Sequence, residues 1–182
     1  MEIVSESKSH GGRQLVVKHA SVATGTDMTF SIFLPPQAES GRKLPVVWYL
    51  SGLTCTHANV TEKGEYRAAC TGHGLIFVAP DTSPRGPDVP TAPDGAWDFG
   101  LGAGFYVDAT EDPWSRNYRM WTYVTKELPA LVVGEFPVDG NRQGIMGHSM
   151  GGHGALTVAL RNPDLFRSVS AFASHSGPFS FL

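Results

Sequence analysis

The five residues Gly147-His148-Ser149-Met150-Gly151 constrain this chain more than any other stretch. They spell G-x-S-x-G, the pattern of a serine exposed on a sharp strand-to-helix turn, a nucleophile elbow. The turn holds the serine in a strained backbone conformation, and bulky neighbours two positions either side would collide. Glycine at both positions removes that collision. The flanks fit the same geometry: residues 143–146 read as a short buried strand, and 150–160 as a helix closed by Asn162-Pro163. A Gly-Ser turn without chemistry is the alternative; the strand before and the helix after favour a nucleophilic Ser149.

Bulk properties remove whole classes of function. At 182 residues the expectation is a single domain with a real core, residues 1–182. An apolar fraction of 41% against 17% charged residues describes a folded globular chain, not a disordered one. A net charge of −3 gives no reason to expect nucleic acid or an anionic membrane surface as a partner. The polar first residues resemble no signal peptide, and no segment approaches a membrane span. Cys55 and Cys70 form neither a metal spacing nor a disulfide framework. A cytosolic protein that needs neither metal nor cofactor is expected.

In chain order, 14–20 and 28–34 read as two strands; the second alternates apolar and polar, as a half-buried antiparallel strand should. Residues 46–50 and 75–79 are continuously apolar, which suits strands buried on both faces. A helix is expected over 61–71, stopped near Gly72 to Gly74. From 81 to about 117 the chain is rich in Gly, Pro and Asp with scattered aromatics, a connection long enough to suggest function, though a surface loop pinned by its rings is as good a reading. Tyr118, Trp121, Val124, Leu128 and Leu131 then recur at helical spacing as a core stripe, and 168–173 gives a sixth strand. Antiparallel strands followed by alternating buried strands and helices are the α/β-hydrolase plan, a mainly parallel sheet with antiparallel first strands. In that plan the oxyanion hole takes the N–H after the nucleophile, here Met150, and one from the loop after the third strand. That loop is Ser51-Gly52-Leu53-Thr54-Cys55-Thr56, and Gly52 allows close approach, which makes Leu53 the second donor.

Longer runs carry a resemblance. Tyr49-Leu50-Ser51-Gly52-Leu53-Thr54-Cys55, Ala79-Pro80-Asp81-Thr82-Ser83-Pro84-Arg85-Gly86, Gly102-Ala103-Gly104-Phe105-Tyr106-Val107-Asp108-Ala109-Thr110, Pro113-Trp114, Tyr118-Arg119-Met120 and the elbow through Leu156 resemble the S-formylglutathione hydrolase (esterase D) family. The resemblance covers roughly residues 14 to 173. It implies a cytosolic, typically dimeric serine thioesterase that cleaves S-formylglutathione to formate and glutathione in formaldehyde detoxification, and that also takes small activated esters. By the same resemblance Ser149 is the nucleophile, with Leu53 and Met150 as oxyanion donors.

The resemblance stops after Ala173. In this fold the triad runs Ser, then Asp or Glu, then His. After Ser149 the sequence offers one acid, Asp164, and two histidines, His153 and His175. A dozen helical residues at about 1.5 Å each would carry Asp164 some 18 Å from the elbow. His148 and His153 are expected to pack or hydrogen-bond at the helix start, and Cys55 to be a small buried hydrophobe. The expectation is therefore that triad acid and base are not present in this chain, that the last strands are missing, and that Ile145, Val169 and Phe172 are short of neighbours. Three readings follow: an impaired S-formylglutathione hydrolase, another carboxylesterase of the same fold, or a non-catalytic fragment. Preference for a glutathione thioester over a nitrophenyl ester separates the first two, and reactivity of Ser149 separates both from the third.

Overall fold

The structure is a computed structural model that describes residues 1–174. The continuous apolar runs form its centre: β4 (Leu44–Leu50) pairs in parallel with β5 (Ile76–Pro80) on one side and with β6 (Val138–His148) on the other. β7 (Ser168–Phe172) continues the parallel set beyond β6. Three antiparallel strands, β1 (Glu2–Ser9), β2 (Gly12–Ala20) and β3 (Asp27–Leu34), complete the sheet against β5, in the order β1-β2-β3-β5-β4-β6-β7. This is the α/β-hydrolase arrangement, with seven strands among the described residues where the sequence suggested six.

The extra strand is β1. All but its last residue are exposed, so it has no buried face and no alternating pattern to read. Its backbone ladder to β2, closed by a turn with positive φ at His10 and Gly11, holds it, together with the Glu6–Arg13 ion pair at 2.6 Å.

The expected helix over 61–71 is instead two, α1 (His57–Lys63) and α2 (Arg67–His73). They part at Gly64, where a Cβ would lie 2.7 Å from the Val60 carbonyl oxygen. These helices cover a small cluster of Phe33, Cys70, Phe77 and Ala79 on one face of the sheet. The larger core on the other face joins Phe30, Ile32, Trp48 and Ile145 to the helices that follow.

The stripe beginning at Tyr118 also differs. Helix starts only at α3 (Met120–Thr122), widens into π-helix over Tyr123–Glu127, and returns to α-helix in α4 (Leu128–Glu135). Pro129 has no N–H to offer the preceding turn, and a widened turn is one way a chain accommodates that loss. The shift in register buries Tyr123 completely while Trp121 and Leu131 are only half-buried. Tyr118 precedes the helix, buried in the loop, with its hydroxyl donating to the Pro90 carbonyl at 2.6 Å.

Ile145 is buried at 3% exposure, contrary to expectation, because β4 and β7 flank it. Val169 and Phe172, at 39% and 51%, are as exposed as expected. α5 (Met150–Arg161) returns the chain from β6 to β7, and Asp164 lies in the turn at its far end. His175 lies outside the described residues. No helix among the described residues is long and apolar enough to cross a membrane.

Candidate active site

Parallel pairing puts the C-terminal ends of β4, β6 and β7 at one edge, with Leu50 beside Gly147 and His148 beside Phe172. The chain passes from β6 into α5 there with one intervening residue, Ser149. Its φ of 57° and ψ of −122° belong to neither a strand nor a helix. Two backbone bonds hold it: its N–H donates to the Phe172 carbonyl at 2.9 Å, and its carbonyl accepts from His153 at 3.1 Å.

The glycines around it are explained by close approach. A Cβ at Gly147 would run into the Gly151 carbonyl, and one at Gly151 into the Leu50 carbonyl. The elbow thus packs backbone against backbone on the end of β4. One turn later, a Cβ at Gly154 would sit 2.5 Å from Tyr106 Cδ2.

The loop after β4 lies against the elbow, where a Cβ at Gly52 would be 3.2 Å from Ser149 Cβ. Residues 52–55 form a tight turn, with Thr54 at φ 64° and the Cys55 N–H donating to the Gly52 carbonyl at 3.3 Å. Neither the Leu53 nor the Met150 N–H donates to an acceptor among the described residues. Met150 opens α5, whose first N–H groups have no intrahelical partner and carry the positive end of the helix dipole. The edge therefore presents two uncommitted backbone donors on segments that meet at Ser149, an arrangement suited to an anionic oxygen.

A second layer fixes the loop. The Cys55 carbonyl accepts from Thr82 Oγ1 at 2.5 Å and from the Arg85 guanidinium at 3.3 Å. Arg85 grips the buried Asp81 carboxylate through two nitrogens, at 2.9 and 3.1 Å. From the other side, the Thr54 N–H donates to Gly102 O at 3.0 Å, and Gly102 N–H donates to Ser83 Oγ at 2.9 Å. The buried Tyr106 hydroxyl donates to Ser51 O at 2.8 Å; burial holds its pKa well above the ordinary phenol value, so it stays neutral. Sequence reasoning assigned no role to Asp81, Thr82, Arg85 or Tyr106. The i, i+4 spacing of Asp81 and Arg85 was the available signal.

The histidines do other work. His148 is exposed, and His153 Nε2 lies 3.5 Å from Thr157 Oγ1. His57 begins α1 with Nδ1 buried and unpartnered among the described residues; burial lowers its pKa, against the pull of nearby Asp81. No histidine forms an ion pair with a carboxylate among the described residues. Both cysteines are free, Cys70 buried and Cys55 half-buried. No group of three or more His, Cys, Asp or Glu suited to a metal ion occurs among the described residues.

Comparison with known proteins bears on the family and the fold. The family model for Esterase matches residues 21–180. S-formylglutathione hydrolase of Paracoccus denitrificans is 58% identical over 177 residues, which cover 97% of this chain and 62% of that protein. The mouse protein of the same name is 56% identical, over 96% of this chain and 61% of its own length. The chain thus spans somewhat over three-fifths of the curated relatives it matches. The structure of an S-formylglutathione hydrolase from Agrobacterium tumefaciens superposes with a TM-score of 0.96 at 56% identity, over 99% of this chain and 64% of that one.

Proposed function

This chain belongs to the esterase family that matches residues 21–180, and on that premise we propose that it carries the acyl-transfer half of a serine thioesterase acting on S-formylglutathione. One observation carries the reading: Ser149 sits strained between β6 and α5 with the Gly52 backbone against it. In the proposed reaction the Ser149 hydroxyl attacks the formyl carbon of the thioester. The carbonyl oxygen becomes an oxyanion held by Leu53 and Met150 N–H, glutathione departs as the thiol with the proton given up by the serine, and water then cleaves the serine ester, restoring the Ser149 hydroxyl and releasing formate. The uncommitted state of both N–H groups supports their role, and each such donor is typically worth about 10²–10³ in rate. Thr82 and Arg85 act as positioning residues by donating to the Cys55 carbonyl at the end of the donor turn, and Asp81 holds the Arg85 guanidinium in place.

The substrate comes from the names of the relatives; a role in formaldehyde detoxification, a cytoplasmic location and a homodimer are proposed with it, on the resemblance of the sequence runs alone. Asp164, the one acid that follows Ser149 in the sequence, lies in the turn at the far end of α5, away from the elbow, so this polypeptide is proposed to turn over slowly. Loss of a triad member leaves roughly 10³–10⁴ over the water reaction. The test is formate release from S-formylglutathione by the 182-residue chain and its Ser149→Ala variant. Slow turnover that Ser149→Ala abolishes supports the proposal; turnover unchanged in that variant refutes it.

A further inference from the structure

A second hollow lies in the long connection between β5 and the π-helical segment. Its volume is about 340 Å³, within the usual range for small-molecule sites, and Phe99, Phe105, Val107, Trp114 and Tyr118 supply most of its wall. Neither Ser149, Gly52, Leu53 nor Met150 lines it. The rings are held in place: Phe99 and Trp114 meet edge to face at 5.0 Å, and the Tyr118 hydroxyl is tied to Pro90. Phe99 and Val107 nonetheless remain about half exposed, which leaves apolar surface uncovered at the mouth.

One charged side chain, the Glu111 carboxylate, lines the hollow. The loop that builds it carries Asp88, Asp94, Asp98, Asp108, Glu111 and Asp112 between Arg85 and Arg116. Of these only Asp112 has an ion pair among the described residues, with Arg116 at 3.8 Å. Glu111 and its neighbour Thr110 are both exposed lining residues. Aromatic faces carry negative quadrupole, and a carboxylate among them adds to the same field.

We propose that this hollow is a binding site for a hydrophobic organic cation, an aryl- or alkylammonium compound, whose apolar body fills the ring-lined cavity and whose charge lies against the rings and Glu111. Ser149 does not line it, and binding there calls for no chemistry.

The test is calorimetric titration of the full chain with benzyltrimethylammonium, its neutral carbon isostere neopentylbenzene, and phenylacetate, at low and high salt. The cation should bind roughly tenfold tighter than the isostere at low salt, with the advantage shrinking as salt screens the field. Phenylacetate should not bind. Glu111→Gln should weaken cation binding roughly threefold, and Thr110→Lys should abolish it while leaving the isostere bound. Both substitutions are at exposed positions, and retained circular dichroism verifies the fold. Equal affinity for cation and isostere, binding of phenylacetate, no saturable binding of the cation at millimolar concentration, or equal loss of both ligands in Thr110→Lys would each overturn the proposal.

Discussion

Replacing Ser149 by glycine should make the protein more stable than replacing it by alanine. Both changes remove the hydroxyl, so every interaction of that group cancels in the comparison. What remains is the backbone, fixed at φ 57° and ψ −122° by the Phe172 and His153 bonds on either side. A residue with a Cβ in such a region costs about 1–3 kcal/mol, and glycine escapes most of that strain. Glycine loses more entropy on folding, about 0.5–1 kcal/mol relative to alanine. The difference leaves Ser149→Gly ahead by about 1 kcal/mol, or roughly 2–4 °C in melting temperature for a chain of this size. Urea unfolding followed by circular dichroism, with both variants at one pH and concentration, reads the quantity directly. A midpoint for Ser149→Gly equal to or below that of Ser149→Ala would mean that the elbow stores no strain.

Two further perturbations follow from the same coordinates. Gly154→Val places side-chain atoms where Tyr106 already sits, 2.5 Å from the position of a Cβ, and should cost about 1–3 kcal/mol by overpacking in the same urea assay. Stability should also fall in mildly acidic solution. Burial lowers the pKa of both His19 and His57 below the ordinary imidazole value of about 6.5, so the unfolded chain takes up protons that the folded one refuses. The loss begins as pH drops below about 6.5 and accumulates down to the depressed folded values, and unfolding midpoints across that window should fall less steeply in the double variant His19→Gln, His57→Gln.

What was legible in the sequence had strong local causes. Val46 to Leu50 and Leu75 to Ala79 announce central strands because both their faces are buried, and such runs tolerate few polar residues. The elbow was legible because its glycines answer a steric demand that the coordinates bear out atom by atom at Gly147 and Gly151. β1 was not, since a strand held by its ladder alone leaves no mark on the hydrophobic pattern. The π-helical turns shifted a helical stripe that a 3.6-residue period would have kept regular, so Tyr123 went unnoticed while Trp121 was overvalued. The grip of Thr82 and Arg85 on the Cys55 carbonyl is a contact between loops some 27 to 30 residues apart, beyond any local pattern.

The central claim is that Ser149, Leu53 and Met150 together form an oxyanion-stabilising acylation site. A crystal structure of the chain after reaction with a fluorophosphonate tests it most directly, because the bound phosphonyl oxygen stands where the oxyanion would form. The account predicts a single adduct on Ser149 Oγ, with that oxygen about 2.7–3.1 Å from both the Leu53 and Met150 nitrogens. An adduct on another residue, or a phosphonyl oxygen on Ser149 turned away from either nitrogen, would contradict it.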